Sequence, residues 1–186
     1  MGGKWNRWSN PISEVVDGVK VQRKEYSQWL GMVNRVKGKK YYDGVIVSDN
    51  FKNYDWYLDW AKQQKGFLNL EPCGRLWAID KDIVGDGTVY SEDVCVFVPA
   101  EINNMFRRSF KHDLPEGVFK EKRKKKFKSA ISKFGKHIHL GYFDSVEEAH
   151  QVYLVERLVY VNQLIEKYQH RLDDRVATAM IESCSI

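Results

Sequence analysis

The sequence predicts an α+β protein in two parts, and three observations carry that prediction. Period-two alternation runs through Phe127 to Lys133 and again through His137 to Leu140, the pattern of half-buried antiparallel strands. Behind them, Ala149, Val152, Tyr153, Val155 and Val159 recur at helical spacing. Upstream, aromatic-rich stretches at residues 26–36 and 51–61 read as helices, followed by short apolar strands and a further helix. The expected architecture is a helical N-terminal module ending in two strands and a helix, then a three-stranded antiparallel sheet packed on one helix. The expected boundaries are 1–110 for the first module, 111–116 for a linker, 117–170 for the second module and 171–186 for a tail.

In chain order, Tyr26, Trp29, Leu30, Met32 and Val33 share one face of a helix that Lys37-Gly38 ends. Val45-Ile46-Val47 reads as a short buried strand or extended segment. Phe51, Tyr54, Trp56, Tyr57, Leu58, Trp60 and Ala61 then make a second helix, which Asp49-Asn50 introduces. This aromatic density suits a small core rather than a cofactor site. Leu76 to Ile79 is the next strand, Gly85-Asp86-Gly87 a tight turn and Val89-Tyr90 the return. Val94 to Val98 follows, and Pro99 opens a short helix carrying Asn103. Arg107, Arg108, Lys111 and His112 lead to Pro115 as a basic linker.

In the second module, Gly117 to Lys122 is a first strand and Arg123-Lys124-Lys125 its hairpin loop. Alternation assigns Phe127, Ile131, Ile138 and Leu140 to a core. It assigns Lys128, Ser132, His137 and His139 to the opposite, solvent face. Asp144 or Ser145 caps the helix, with Glu147 and Glu148 in its first turn, where carboxylates suit the helix dipole.

Charge is local. Between Gly117 and His139 stand nine Lys or Arg against Glu121 alone, a net of +8 in a chain whose total is +5. Everything else therefore sums to −3, so the basicity is a patch, the footprint of a nucleic-acid binder. No apolar run approaches a membrane span. Three unevenly spaced cysteines without a C-x-x-C pair suit a reducing cytoplasm and no cysteine-only zinc site. The N-terminus lacks the apolar stretch of a leader. The expected location is the cytoplasm, that of a host cell if the gene is a phage's.

The second module resembles the DNA-binding domain named for the plant Apetala and ethylene-response-factor proteins, which also occurs in bacteriophage endonucleases. The resembling pieces are Gly117-Val118, Lys126-Phe127, the run His139 to Ser145 (HLGYFDS) and Glu147 to Ala149. The resemblance implies a sheet laid in the major groove of duplex DNA. It places Ser132, His137 and His139 at base- or phosphate-reaching positions, and Ala130 where the family often has Glu. With Lys120, Lys122, Lys126, Lys128 and Lys136 these make the expected DNA-binding set.

The first module resembles HNH nucleases, also called His-Me fingers, of bacteriophage type. Asp80-Lys81-Asp82, Gly85 to Gly87, Tyr90 to Cys95 and Val98 to Asn103 carry that likeness. It implies a ββα finger and metal-dependent phosphodiester cleavage of duplex DNA, as in phage homing endonucleases. The implied site is Asp80, Lys81 and Asp82, with Asp80 or Asp82 joined by Asn103 on Mg²⁺ or Mn²⁺, hard cations that oxygen ligands favour. No small-molecule cofactor beyond that metal is implied. One departure matters: Lys81 stands where the family has its histidine base, and the first histidine of the chain is His112. Flanked by two carboxylates, Lys81 suits a phosphate contact better than a base. Two rivals stay open: a non-catalytic DNA binder on a decayed nuclease module, and an RNA-binding or protein-interaction module with a basic sheet.

Overall fold

A computed structural model describes residues 8–38, 42–106, 113–121 and 125–184. It is a mixed α and β chain with small sheets, and it divides into two compact units, Met1–Asn103 and Asn104–Ile186.

In the first unit, Ser13–Val16 (β1) and Val19–Gln22 (β2) form an antiparallel hairpin through Asp17 and Gly18, both at positive φ. This hairpin lies outside the expected elements, although an Asp-Gly pair between valines is a strong hairpin signal. Lys24–Gly38 (α1) follows and buries Trp29, Met32 and Val33. Ile46–Val47 (β3) buries Val47 and exposes Ile46, so the expected buried strand is half correct. The expected second helix is two: Asp49–Lys52 (α2), capped by Ser48, and Tyr54–Ala61 (α3). Asn53 divides them, because its side chain accepts the Asp55 and Trp56 amides and so starts a new helix. Trp29, Phe51, Tyr54 and Tyr57 are wholly buried in one aromatic core, with Trp29 Nε1 donating to Phe51 O at 2.8 Å.

The strand pairing that follows corrects the expected hairpin. Ala78–Asp80 (β4) does not pair with Val89–Tyr90 (β5). It pairs antiparallel with Val96–Val98 (β6), Asp80 opposite Val96, while β5 lies parallel to β3. Ala100–Met105 (α4) follows β6. The ribbon and helix are therefore β4, β6 and α4, with β5 in the excursion between the strands.

In the second unit, Val118–Glu121 (β7), Lys126–Lys133 (β8) and Lys136–Phe143 (β9) form an antiparallel sheet in that order. Val146–Tyr168 (α5) packs on it, capped by Ser145, whose Oγ accepts the Glu148 amide. Ala149, Tyr153, Val161 and Leu164 are buried. The stretch expected as a tail contains a further helix, Asp174–Glu182 (α6), started by Asp173 and packed on α5 through Val176 and Met180. Among the described residues, no helix is long and apolar enough to cross a membrane.

Candidate nucleic-acid interface

The face of the sheet turned away from α5 is built by register. Ile131 is buried opposite Ile138, Ser129 is buried, and Lys133 forms an ion pair with Glu156 of α5, so this row of β8 faces the helix. The alternate row faces outward. It sets Phe119, Lys128 and Tyr142 side by side across the three strands, then Ala130 beside His139, then Ser132 beside His137. Ser132, His137 and His139 are exposed, as alternation requires, with Ser132 Oγ and His137 Nδ1 3.4 Å apart. Phe127, Ile138 and Leu140 are half-buried rather than fully enclosed.

A bulge shapes this face. Between Ser129 and Ala130 the register slips: Ser129 opposes Gly141 and Ala130 opposes His139, which leaves Leu140 without a partner. Residues three apart normally point to opposite faces of a strand. The extra residue brings His139 and Tyr142 to the same face, ring centroids 4.6 Å apart. Gly141, at φ +147°, takes the backbone conformation that the bulge needs and that side-chain-bearing residues rarely adopt. Phe119 and Tyr142, 47% and 38% exposed, are thus members of this face that sequence reasoning missed. Lys128 Nζ lies 5.9 Å from the Phe119 ring centroid.

The other lysines divide. Lys126 pairs with Asp144 at 3.0 Å. Lys120 and Lys136 are exposed, but they stand opposite Phe127 and Lys133 and so belong to the row on the helix side. Lys122 lies outside the described residues, as do Arg123 and Lys124 of the hairpin loop and Arg107, Arg108, Lys111 and His112 of the linker. Behind the sheet, Gly117 at φ +78° lets the chain pass against Tyr153, whose ring a Cβ there would strike. The buried Arg157 reaches Glu116 at 3.2 Å and donates to the Tyr153 hydroxyl at 2.9 Å, fixing α5 to the entry of β7.

In the first unit, the residues expected to be catalytic sit at the end of β4. The strand ends at Asp80, so Asp80 and Asp82 do not share a strand face. Asp80 is buried, and its Oδ1 accepts the Asp82 and Ile83 amides at 2.8 and 2.9 Å, closing a turn. Burial raises its pKa above the ordinary value, against the lowering effect of those amides. Lys81, which the HNH resemblance sets against phosphate, is 4% exposed. Its ammonium meets Asp82 Oδ1 at 2.8 Å and lies 5.7 and 5.4 Å from the ring centroids of Tyr42 and Tyr90. Asp82 keeps 46% of its side chain exposed. Asn103, half-buried on α4, makes no side-chain hydrogen bond with Asp80 or Asp82 among the described residues.

Two amides fall on Asp80 Oδ1 and the Lys81 ammonium on Asp82 Oδ1, so a divalent cation of the kind the HNH resemblance implies would meet the other carboxylate oxygens beside a buried ammonium. Among the described residues no group of three His, Cys, Asp or Glu side chains could hold a metal ion. Compared with known proteins, the chain matches no family model, no curated protein and no solved structure.

Proposed function

We propose that the protein binds duplex DNA through the outer face of the β7-β8-β9 sheet. The single observation that carries this reading is the composition of that face. A cation flanked by two exposed aromatics (Phe119, Lys128, Tyr142) lies beside two exposed imidazoles and a hydroxyl, with the hydrophobic row turned to α5. Lysines fix the backbone by charge, while hydroxyl, imidazole and aromatic groups reach base edges and thymine methyls. The sheet motif likened to the Apetala and ethylene-response-factor domain supports the same reading, as does the concentration of +8 within 23 residues. The test is anisotropy of labelled duplexes against the full chain. Lys128→Ala weakens every sequence alike and makes the salt slope shallower by about 0.9. His139→Ala changes the preference among sequences. Equal loss on all sequences from both variants would assign the face to phosphate alone.

A second reading, cleavage by an HNH-like first unit, is favoured by one feature. The half-exposed Asp82 carboxylate stands beside a buried ammonium at the end of a ribbon that leads into a helix. Plasmid incubated with Mg²⁺ or Mn²⁺ decides it. Nicking or linearisation by wild type that Asp82→Ala removes would establish the nuclease. Intact plasmid under both metals leaves the DNA-binding reading alone.

A further inference from the structure

The first unit holds a second cationic feature, separate from the Asp80–Asp82 turn. A cleft of about 360 Å³ opens between α1 and β4, with Lys24, Ser27, Gln28, Gly31 and Arg35 on the helix side and Ala78 on the strand side. The helix residues recur at three- and four-residue steps and therefore form one stripe along α1. No carboxylate lines the cleft among the described residues. Gln28 Nε2 donates to Trp77 O at 2.8 Å and ties the two walls together.

Two details set this cleft apart from ordinary surface. The first is Gly31. It sits inside α1 with no positive φ, and a Cβ added there would meet nothing within 4 Å. Neither backbone geometry nor packing calls for glycine, which weakens a helix interior relative to alanine. Its effect is to leave the backbone bare on the cleft floor. The second is Arg35. Its Nε donates to Gly31 O at 3.1 Å, which holds the guanidinium beside that bare turn. Its Nη groups hold no hydrogen bond among the described residues. The guanidinium carbon lies 6.0 Å from the Tyr90 ring centroid, the ring that Lys81 also approaches. The cleft thus borders the end of β4 where Asp80, Lys81 and Asp82 stand.

We propose that this cleft takes the backbone of a nucleic-acid strand, with Lys24 and Arg35, about three turns apart on α1, each meeting a separate phosphate and the α1 backbone at Gly31 as the surface against which the strand lies. The planar guanidinium of Arg35 offers paired N–H donors to the oxygens of one phosphate, and the Lys24 ammonium meets another along the strand as a point charge. The inference rests on the DNA-binding reading above and adds a second contact to it, one that directs the strand toward the β4 turn.

The experiment uses the full chain and a labelled duplex, titrated across a range of NaCl. Lys24→Gln combined with Arg35→Gln keeps a polar, helix-favouring side chain at each position while removing both charges. The expected result is affinity at least tenfold lower near 100 mM salt and a slope shallower by about 2. Gly31→Ala separates function from folding: the melting midpoint rises while binding weakens severalfold. Wild-type binding with an unchanged slope in the double variant would overturn the cleft contact and leave the sheet reading standing. So would a Gly31→Ala variant that gains stability and binds as wild type does. Wild type that binds no DNA at any salt would overturn both.

Discussion

Asp144 illustrates how single residues set the strength of the proposed interface. It holds Lys126 at 3.0 Å and is 82% exposed, so it both neutralises a cation of the sheet and places a negative charge where a phosphate would approach. Such an exposed pair contributes little to stability, with a typical range of about 0–1 kcal/mol. Asp144→Asn should therefore leave the melting midpoint nearly unchanged and tighten duplex binding severalfold, with a steeper salt slope, in the same anisotropy assay. Tyr54 tests the core of the first unit. Its hydroxyl is buried and has no hydrogen-bond partner among the described residues. Replacing it with Phe removes no bond, so stability at neutral pH should change by less than about 1 kcal/mol. Burial pushes its pKa up to about 12, above the unfolded value of 10.0. A group raised in this way contributes its full stability below pH 10 and loses it as pH climbs from about 10 to 12. Thermal melts at pH 7 and pH 11 check the sign: Tyr54→Phe should lose less stability over that interval than wild type.

At the scale of elements, the bulge in β9 decides what the sheet presents. Gly141→Ala places a Cβ near 3.0 Å from the Phe143 ring in a backbone conformation that alanine rarely adopts. Relief of that strain by loss of the bulge would return Tyr142 and His139 to opposite faces. The variant should therefore show a lower melting midpoint and a larger loss of DNA affinity than Ser132→Ala, which leaves the backbone alone. The same bulge explains what was legible in the sequence. Alternation alone placed Ile131 inward and Ser132, His137 and His139 outward, because side chains must alternate wherever one face is buried. It could not place Tyr142, since counting three residues from His139 puts it on the wrong face and Leu140-Gly141 gives no side-chain cue. The β4 partner was hidden for a related reason. Val89-Tyr90 is the nearer candidate in sequence, whereas the true partner Val96 to Val98 depends on long-range packing. The hairpin at Asp17-Gly18 and the helix after Asp173 did carry local signals: a turn pair between valines, and a cap followed by Val176 and Met180 four residues apart.

Across the whole molecule, charge is distributed unevenly along the chain. The 23 residues from Gly117 to His139 hold +8 of a total of +5, and the rest of the chain is net acidic. The cations fall into distinct settings: Lys128 on the outer sheet face, Lys126 against Asp144, Lys81 enclosed by rings and a carboxylate, Lys24 and Arg35 along a cleft. The candidate chemistry at Asp80 to Asp82 was legible as a motif but not as a site. Nothing in the spacing of those residues foretold that Asp80 Oδ1 would accept two backbone amides or that Lys81 would be buried. DNA binding needs only the exposed cations, so it is the claim on which the account stands. The most direct measurement is the dependence of duplex affinity on salt for the full chain. Lys126 and Lys128 on the outer row of the sheet, extended by Lys24 and Arg35, predict that log K falls against log salt with a slope between about −3 and −4. A slope near zero would mean that the basic patch does not touch the phosphate backbone, and the account would fail.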